Sequence, residues 1–141
     1  MTPDVNKAID ELKRAFADHA IEVIEIGDGG AHVVVADLDL GAAFTPRISW
    51  IGFTIPYNYP RADVYPHFVR PDLGRADGRP LPTPPLNSGQ NLPGLDRPAT
   101  MVSRRSNRWN PSLDTPALKL MRILGWFHEQ AAQTSRRPAR A

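Results

Sequence analysis

The residues best suited to chemistry stand in one short run, Ser103-Arg104-Arg105-Ser106-Asn107-Arg108, followed by Trp109. The run sets two hydroxyls among three guanidiniums. A serine hydroxyl is a weak nucleophile unless a base or firm positioning activates it. Guanidiniums hold carboxylates or a developing oxyanion. No histidine adjoins the run, so His67 or His128 would have to come near through folding to act as the base. The plainer alternative is a solvated loop whose arginines pair with acids elsewhere. Cysteine is absent from all 141 residues, which excludes thiolate nucleophiles, disulfides and thiolate metal sites. The histidines (His19, His32, His67, His128) do not fall at metal-ligand spacing. No Walker or dinucleotide-type glycine loop is present, and no cofactor is expected.

The chain that must position this run has the length of one domain and enough of it to bury a core. Hydrophobic residues make up 41% and charged residues 23%, a globular balance. Proline, at 15 residues, is about twice its ordinary share and argues against a helical bundle. No apolar run follows Met1 and none approaches membrane-spanning length, so the expectation is a cytoplasmic protein without a membrane partner. The net charge of +2 is unevenly spread. Residues 1–40 carry nine acids and three bases, whereas residues 41–141 carry fourteen bases and six acids. Such polarity suits either two docking faces or two ordinary solvated ones.

Helical spacing of Val5, Ala8, Ile9, Leu12 and Phe16 predicts an amphipathic helix from Pro3 to about His19. Ile21 to Ile26 and His32 to Leu40 flank the turn Gly27-Asp28-Gly29-Gly30 and predict a hairpin. Arg47 to Ile55 is a third strand stopped by Pro56, and His67 to Arg70 a short fourth. Residues 71–100, rich in proline and glycine, predict a long irregular loop, either functional or a passive wrap over the sheet. Asp114 or Thr115 caps a final helix whose apolar residues Leu118, Met121, Ile123, Leu124, Trp126 and Phe127 predict burial over much of its surface. The fold class is therefore α+β: N-terminal helix, four-stranded antiparallel meander, long irregular loop, C-terminal helix. A single domain spans residues 1–133, and residues 134–141 form a basic tail.

Two blocks give this order a likeness. Phe53-Thr54-Ile55-Pro56-Tyr57-Asn58-Tyr59-Pro60 with Pro66-His67-Phe68 resembles the third strand, Tyr-Pro turn and fourth strand of ubiquitin-conjugating enzymes. Trp109-Asn110-Pro111-Ser112-Leu113 and the following helix resemble that family's Trp-x-Pro-x-Leu element. The resemblance covers residues 3–130 and implies a cysteine-less prokaryotic member. It would work beside a ubiquitin-like protein and an adenylating activating enzyme. The family's acceptor cysteine lies eight residues before the tryptophan, a position that holds Met101 here. Of the family's His-Pro-Asn motif only Asn91 stands near the expected place.

Three functions follow from these residues. In the first, Ser103 or, less favoured, Ser106 takes the ubiquitin-like C-terminus as an oxyester. Arg104 and Asn91 assist there, and Arg105, Arg108 and Trp109 hold the partner. In the second the chain is a binding module without chemistry, and Met101 in the acceptor position motivates it. In both, Asp10 and Glu11 on the first helix are the expected dock for the activating enzyme. The third, nucleic-acid binding through the arginines and tail, is disfavoured by the acidic first forty residues and the absence of a nucleic-acid motif.

Overall fold

The structure, a computed structural model, describes the backbone of residues 1–136 and the side chains through residue 131. Helix α1 (Pro3–Ala15) starts where the sequence places it. The Val5 N–H donates to Thr2 Oγ1 at 3.1 Å, which satisfies a donor the helix leaves unpaired. Val5, Ala8, Ile9 and Leu12 form the buried stripe. The helix stops short of His19 because Phe16 leaves helical geometry and sets its ring edge-on to the His19 ring.

Strands β1 (Ile21–Glu25) and β2 (Ala31–Asp39) form the expected hairpin, its turn tied by the Gly30 N–H donating to Asp28 Oδ1 at 2.9 Å. A two-residue strand, β3 (Phe44–Thr45), precedes β4 (Ile48–Ile55), and β5 (His67–Val69) follows. The order β1-β2-β4-β5 is the antiparallel meander. The sheet does not end there, and this corrects the count of four strands. Residues 71–100, expected to be irregular, contain β6 (Gly74–Arg75), β7 (Leu86–Leu92) and the start of β8 (Arg97–Val102). β8 pairs with β5 and β7 with β8, giving six strands, while β3 and β6 form a small separate ribbon.

The hairpin of β7 and β8 has no readable periodicity for a physical reason. Between Asn87 and Gln90 the register shifts, so one extra residue bulges from β7. Gly89 at φ +74° supplies the bend. The bulge reverses the facing of the strand: Leu86 joins the core on one side of the sheet and Leu92 a second cluster on the other. As an edge strand, β7 leaves most of its remaining residues in water.

Helix α2 (Pro116–Arg136) is capped by Thr115, whose Oγ1 accepts the Leu118 N–H at 3.1 Å. The part of the tail beyond Arg136 lies outside the described residues. Both helices belong to one core: Leu12, Leu120, Ile123 and Phe127 are buried with Val33, Ile51, Phe53 and Val102. Leu118 and Met121, expected inside, are instead 42% and 45% exposed, because α2 rests on the sheet by one face only. The second cluster, Val34, Phe68, Leu92 and Ala99 with Trp50, Leu95 and Met101 against it, is formed by the alternate residues of the same strands. Gly94 in the hairpin turn carries this wrap onto β2: a Cβ there would stand 2.1 Å from His32 Cδ2, at φ +82°.

Gly94→Ala is therefore expected to lower stability by about 2 kcal/mol, from strain plus a clash with a packed ring. Gly78→Ala has a similar φ of +75° but open space around it, and should cost only about 1 kcal/mol. Urea denaturation of the two variants measures the difference.

Candidate functional site

The site is assembled from three places in the chain: the turn before β5, the loop after β8, and the first turns of α2. Trp109 fixes the loop. Its Nε1–H donates to the Pro60 carbonyl at 2.6 Å, and its ring meets Tyr59 edge-on at 6.4 Å between centroids. The two blocks singled out in the sequence thus touch each other. Trp109, expected to face a partner, is half-buried and spends its one donor inside the fold. The Asp114 carboxylate closes the loop from the other side, accepting the Asn110 N–H at 2.7 Å and Arg122 Nη2 at 2.6 Å. Burial would raise its pKa, but these two donors outweigh burial and hold it below the ordinary carboxylate value.

At the centre lies a side chain the sequence reading did not single out. Lys119 is 3% exposed on α2. Its Nζ donates to both oxygens of Asp63, at 3.0 and 3.1 Å, and to Ser106 Oγ at 2.7 Å. The Ser106 hydroxyl donates in turn to Asp63 Oδ1 at 3.2 Å, and the Ser106 N–H to Asp63 Oδ2 at 2.8 Å. Burial pushes the lysine's pKa down, and the Asp63 carboxylate opposes that without cancelling it. The ammonium polarises the serine oxygen while the carboxylate accepts the hydroxyl's hydrogen bond, an arrangement that suits a reacting hydroxyl. It equally suits a latch between loop and helix.

Ser103, favoured from the sequence, is placed differently. Its N–H donates to the Pro85 carbonyl at 2.9 Å. Its hydroxyl bonds the Tyr65 phenol. That bond foremost, then Arg105, holds the phenol's pKa below its usual value despite some burial. Ser106, not Ser103, lines the cleft in front of Lys119, an open concavity of about 500 Å³. Arg104, Arg105, Arg108 and Arg122 also line it. Arg104 lies over the Trp126 ring at 5.5 Å and Arg105 over Tyr65 at 4.3 Å.

Other expected residues stay apart. Asn91 sits on β7 opposite Pro98, while the serines follow the far end of β8. At a strand rise of ~3.3 Å per residue, Pro98 and Ser103 alone are roughly 16 Å apart. Met101 belongs to β8 and packs with the second cluster, on the opposite side of the sheet from α2. Asp10 is exposed on α1, but Glu11 is not exposed with it. It is half-buried and lines a separate cleft with Tyr59 and Thr115.

Neither histidine serves Ser106. His128 Nε2 donates to the Asp39 carbonyl at 2.8 Å, further along α2. His67 lies fully buried beside the Phe53 ring, at 5.1 Å between centroids, and its ring nitrogens have no hydrogen-bond partner among the described residues. Burial foremost, then the charge of Lys119, pushes its pKa down to about 3, so it is neutral. A signal for Lys119 did exist: it falls on the apolar stripe with Pro116, Leu120, Ile123 and Phe127, and a lysine there needs a carboxylate. Nothing local marked Asp63 as that carboxylate.

Comparison with protein-family models, with characterised proteins and with solved structures finds no match to this chain. No helix among the described residues is long and apolar enough to cross a membrane.

Asp63→Ala strands a buried ammonium and is expected to cost about 3 kcal/mol in urea denaturation. His67 predicts an acid-sensitive fold. Its pKa is lower folded than unfolded, so between pH 6.5 and about 3 the unfolded chain binds the extra proton. The stabilisation is complete above pH 6.5 and drains away as pH falls, by roughly 2 kcal/mol at pH 5. Melting curves of His67→Leu should lack this slope between pH 7 and about 5, above the range where the carboxylates titrate.

Proposed function

We propose that this chain is an atypical ubiquitin-conjugating-enzyme-like protein of a prokaryotic ubiquitin-like conjugation pathway. In this reading Ser106 carries the C-terminus of the ubiquitin-like protein as an oxyester. The observation that carries it is the Ser106 hydroxyl, set between Lys119 and Asp63 at the wall of an arginine-rimmed cleft. The contact of Trp109 with the Tyr59-Pro60 turn supports the family likeness, since the two resembling blocks form one unit. The geometry reverses the preference between the serines, because only Ser106 has a charged pair at its oxygen.

The step is an acyl transfer. Ser106 Oγ bonds to the carboxyl carbon activated by the partner adenylating enzyme. The leaving group departs with its electron pair, and the hydroxyl proton passes to Asp63. The Lys119 ammonium favours loss of that proton from Oγ, and the negative charge that then builds on the carbonyl oxygen falls to the guanidiniums of the cleft. A second reading, a binding module without covalent transfer, draws on two observations. Met101 is built into a strand, and the Ser106 hydroxyl already latches the loop.

Intact mass after incubation with the cognate ubiquitin-like protein, activating enzyme and ATP decides between them. The oxyester reading expects a hydroxylamine-labile adduct that is lost in Ser106→Ala and kept in Ser103→Ala. Complex formation without any adduct leaves the binding module. An adduct that survives in the double serine variant rules out both serines.

A further inference from the structure

The arginine cleft holds more positive charge than the fold neutralises. Of its cations, Lys119 is paired with Asp63 and Arg122 with Asp114. Arg104, Arg105 and Arg108 have no carboxylate partner among the described residues, although all three line the same concavity. Two of these guanidiniums lie against aromatic rings, Trp126 and Tyr65. Such contact limits their motion; Arg105 spends one N–H on the Tyr65 phenol, and the rest of its five-donor fork stays available to a ligand. Guanidinium forks match the oxygens of a phosphate, and the cleft, at about 500 Å³, has the size of a small-molecule site.

A ubiquitin-like tail alone does not account for this charge. Once its carboxyl group is activated it is no longer an anion, and a thioester brings none. A mixed anhydride does: in an acyl adenylate the phosphate is bonded directly to the acyl carbon, beside the atom Ser106 would attack. We infer that this cleft binds the phosphate of a nucleotide, and that Ser106 takes its acyl group directly from an acyl adenylate. The phosphate site stands on the arginines alone; its belonging to a nucleotide, and the transfer, rest on Ser106 being the acceptor. In the transfer the Oγ–C bond forms and the C–O bond to phosphate breaks. AMP leaves with the electron pair into the three arginines, and Asp63 takes the hydroxyl proton.

The test titrates AMP, adenosine, inorganic phosphate and a mixed oligonucleotide into the whole chain, following amide resonances. AMP is expected to bind in the millimolar range and shift residues 104–110 and 118–122. Adenosine should leave them in place, and inorganic phosphate should bind more weakly than AMP. Arg104→Gln, Arg105→Gln and Arg108→Gln combined should weaken AMP about tenfold or more while the chain stays folded by its amide spectrum, since all three are exposed. Ser106→Ala should bind AMP normally. No AMP binding, or binding untouched by the triple variant, overturns the phosphate site. Equal binding of AMP and inorganic phosphate overturns the nucleotide. Tighter, salt-sensitive binding of the oligonucleotide overturns the small-molecule reading in favour of nucleic acid. Preformed acyl adenylate of the ubiquitin-like protein is then offered without activating enzyme. Esterification of Ser106 supports direct transfer. Normal AMP binding with no ester overturns direct transfer while the phosphate site stands; a Ser106-dependent adduct formed once the activating enzyme and ATP are added shows that the acceptor reading survives that failure.

Discussion

An ammonium group almost wholly out of water needs a carboxylate, and that need organises one end of this protein. Lys119 comes from the first turns of α2, Asp63 from the turn before β5, and Ser106 from the loop after β8. None is near the others in sequence. The ion pair holds the three segments in one geometry, because each alternative would leave a charge or a polar group unpaired in the interior. Other contacts help order the loop: Ser103 on Pro85 and Tyr65, Arg104 and Arg105 on aromatic rings, Trp109 on the Tyr59-Pro60 turn, and Asp114 on Asn110 and Arg122. The position of Ser106 is thus a consequence of satisfying Lys119, whatever chemistry the hydroxyl performs.

The sheet supplies the rigid base for this arrangement. Both of its faces bear apolar clusters, one under the helices and one beneath the β7–β8 hairpin. Alternate residues of β2, β4, β5 and β8 feed the two sides, which is why His67 and Phe68 point into different clusters although they are neighbours. The bulge at Gly89 lets a seven-residue edge strand serve both. Because β8 is paired on both sides, its end is held firmly, and the loop that carries Ser106 departs from a fixed point.

Charge is distributed to match. The acidic first forty residues build α1, β1 and β2, whereas the unpaired arginines gather on the loop before α2. Aromatic rings rather than carboxylates support two of those arginines, so their charge remains uncancelled toward the cleft. An anionic ligand is the natural complement to such a surface.

Much of the scaffold could be read directly. Thr2-Pro3 and Thr115-Pro116 marked the helix starts, and the valines of Val33–Val35 and the alternation of Ile51, Phe53 and Ile55 marked the strands, because capping, β-branching and the pleat leave local traces. The chemical character of the Ser103–Arg108 run was equally plain from residue types, as was the exclusion of thiol chemistry. What the tertiary structure decided is what stands beside each hydroxyl. A one-residue bulge erases the periodicity of β7, so its hairpin with β8 reads as loop, and Asn91, chosen by its likeness to a family motif, proves to sit on that strand opposite Pro98. Asp63 and Lys119 are 56 residues apart, and no local pattern joins them. Their pairing follows from burial, a property of the packed chain as a whole, and that pairing sets Ser106 beside two charges.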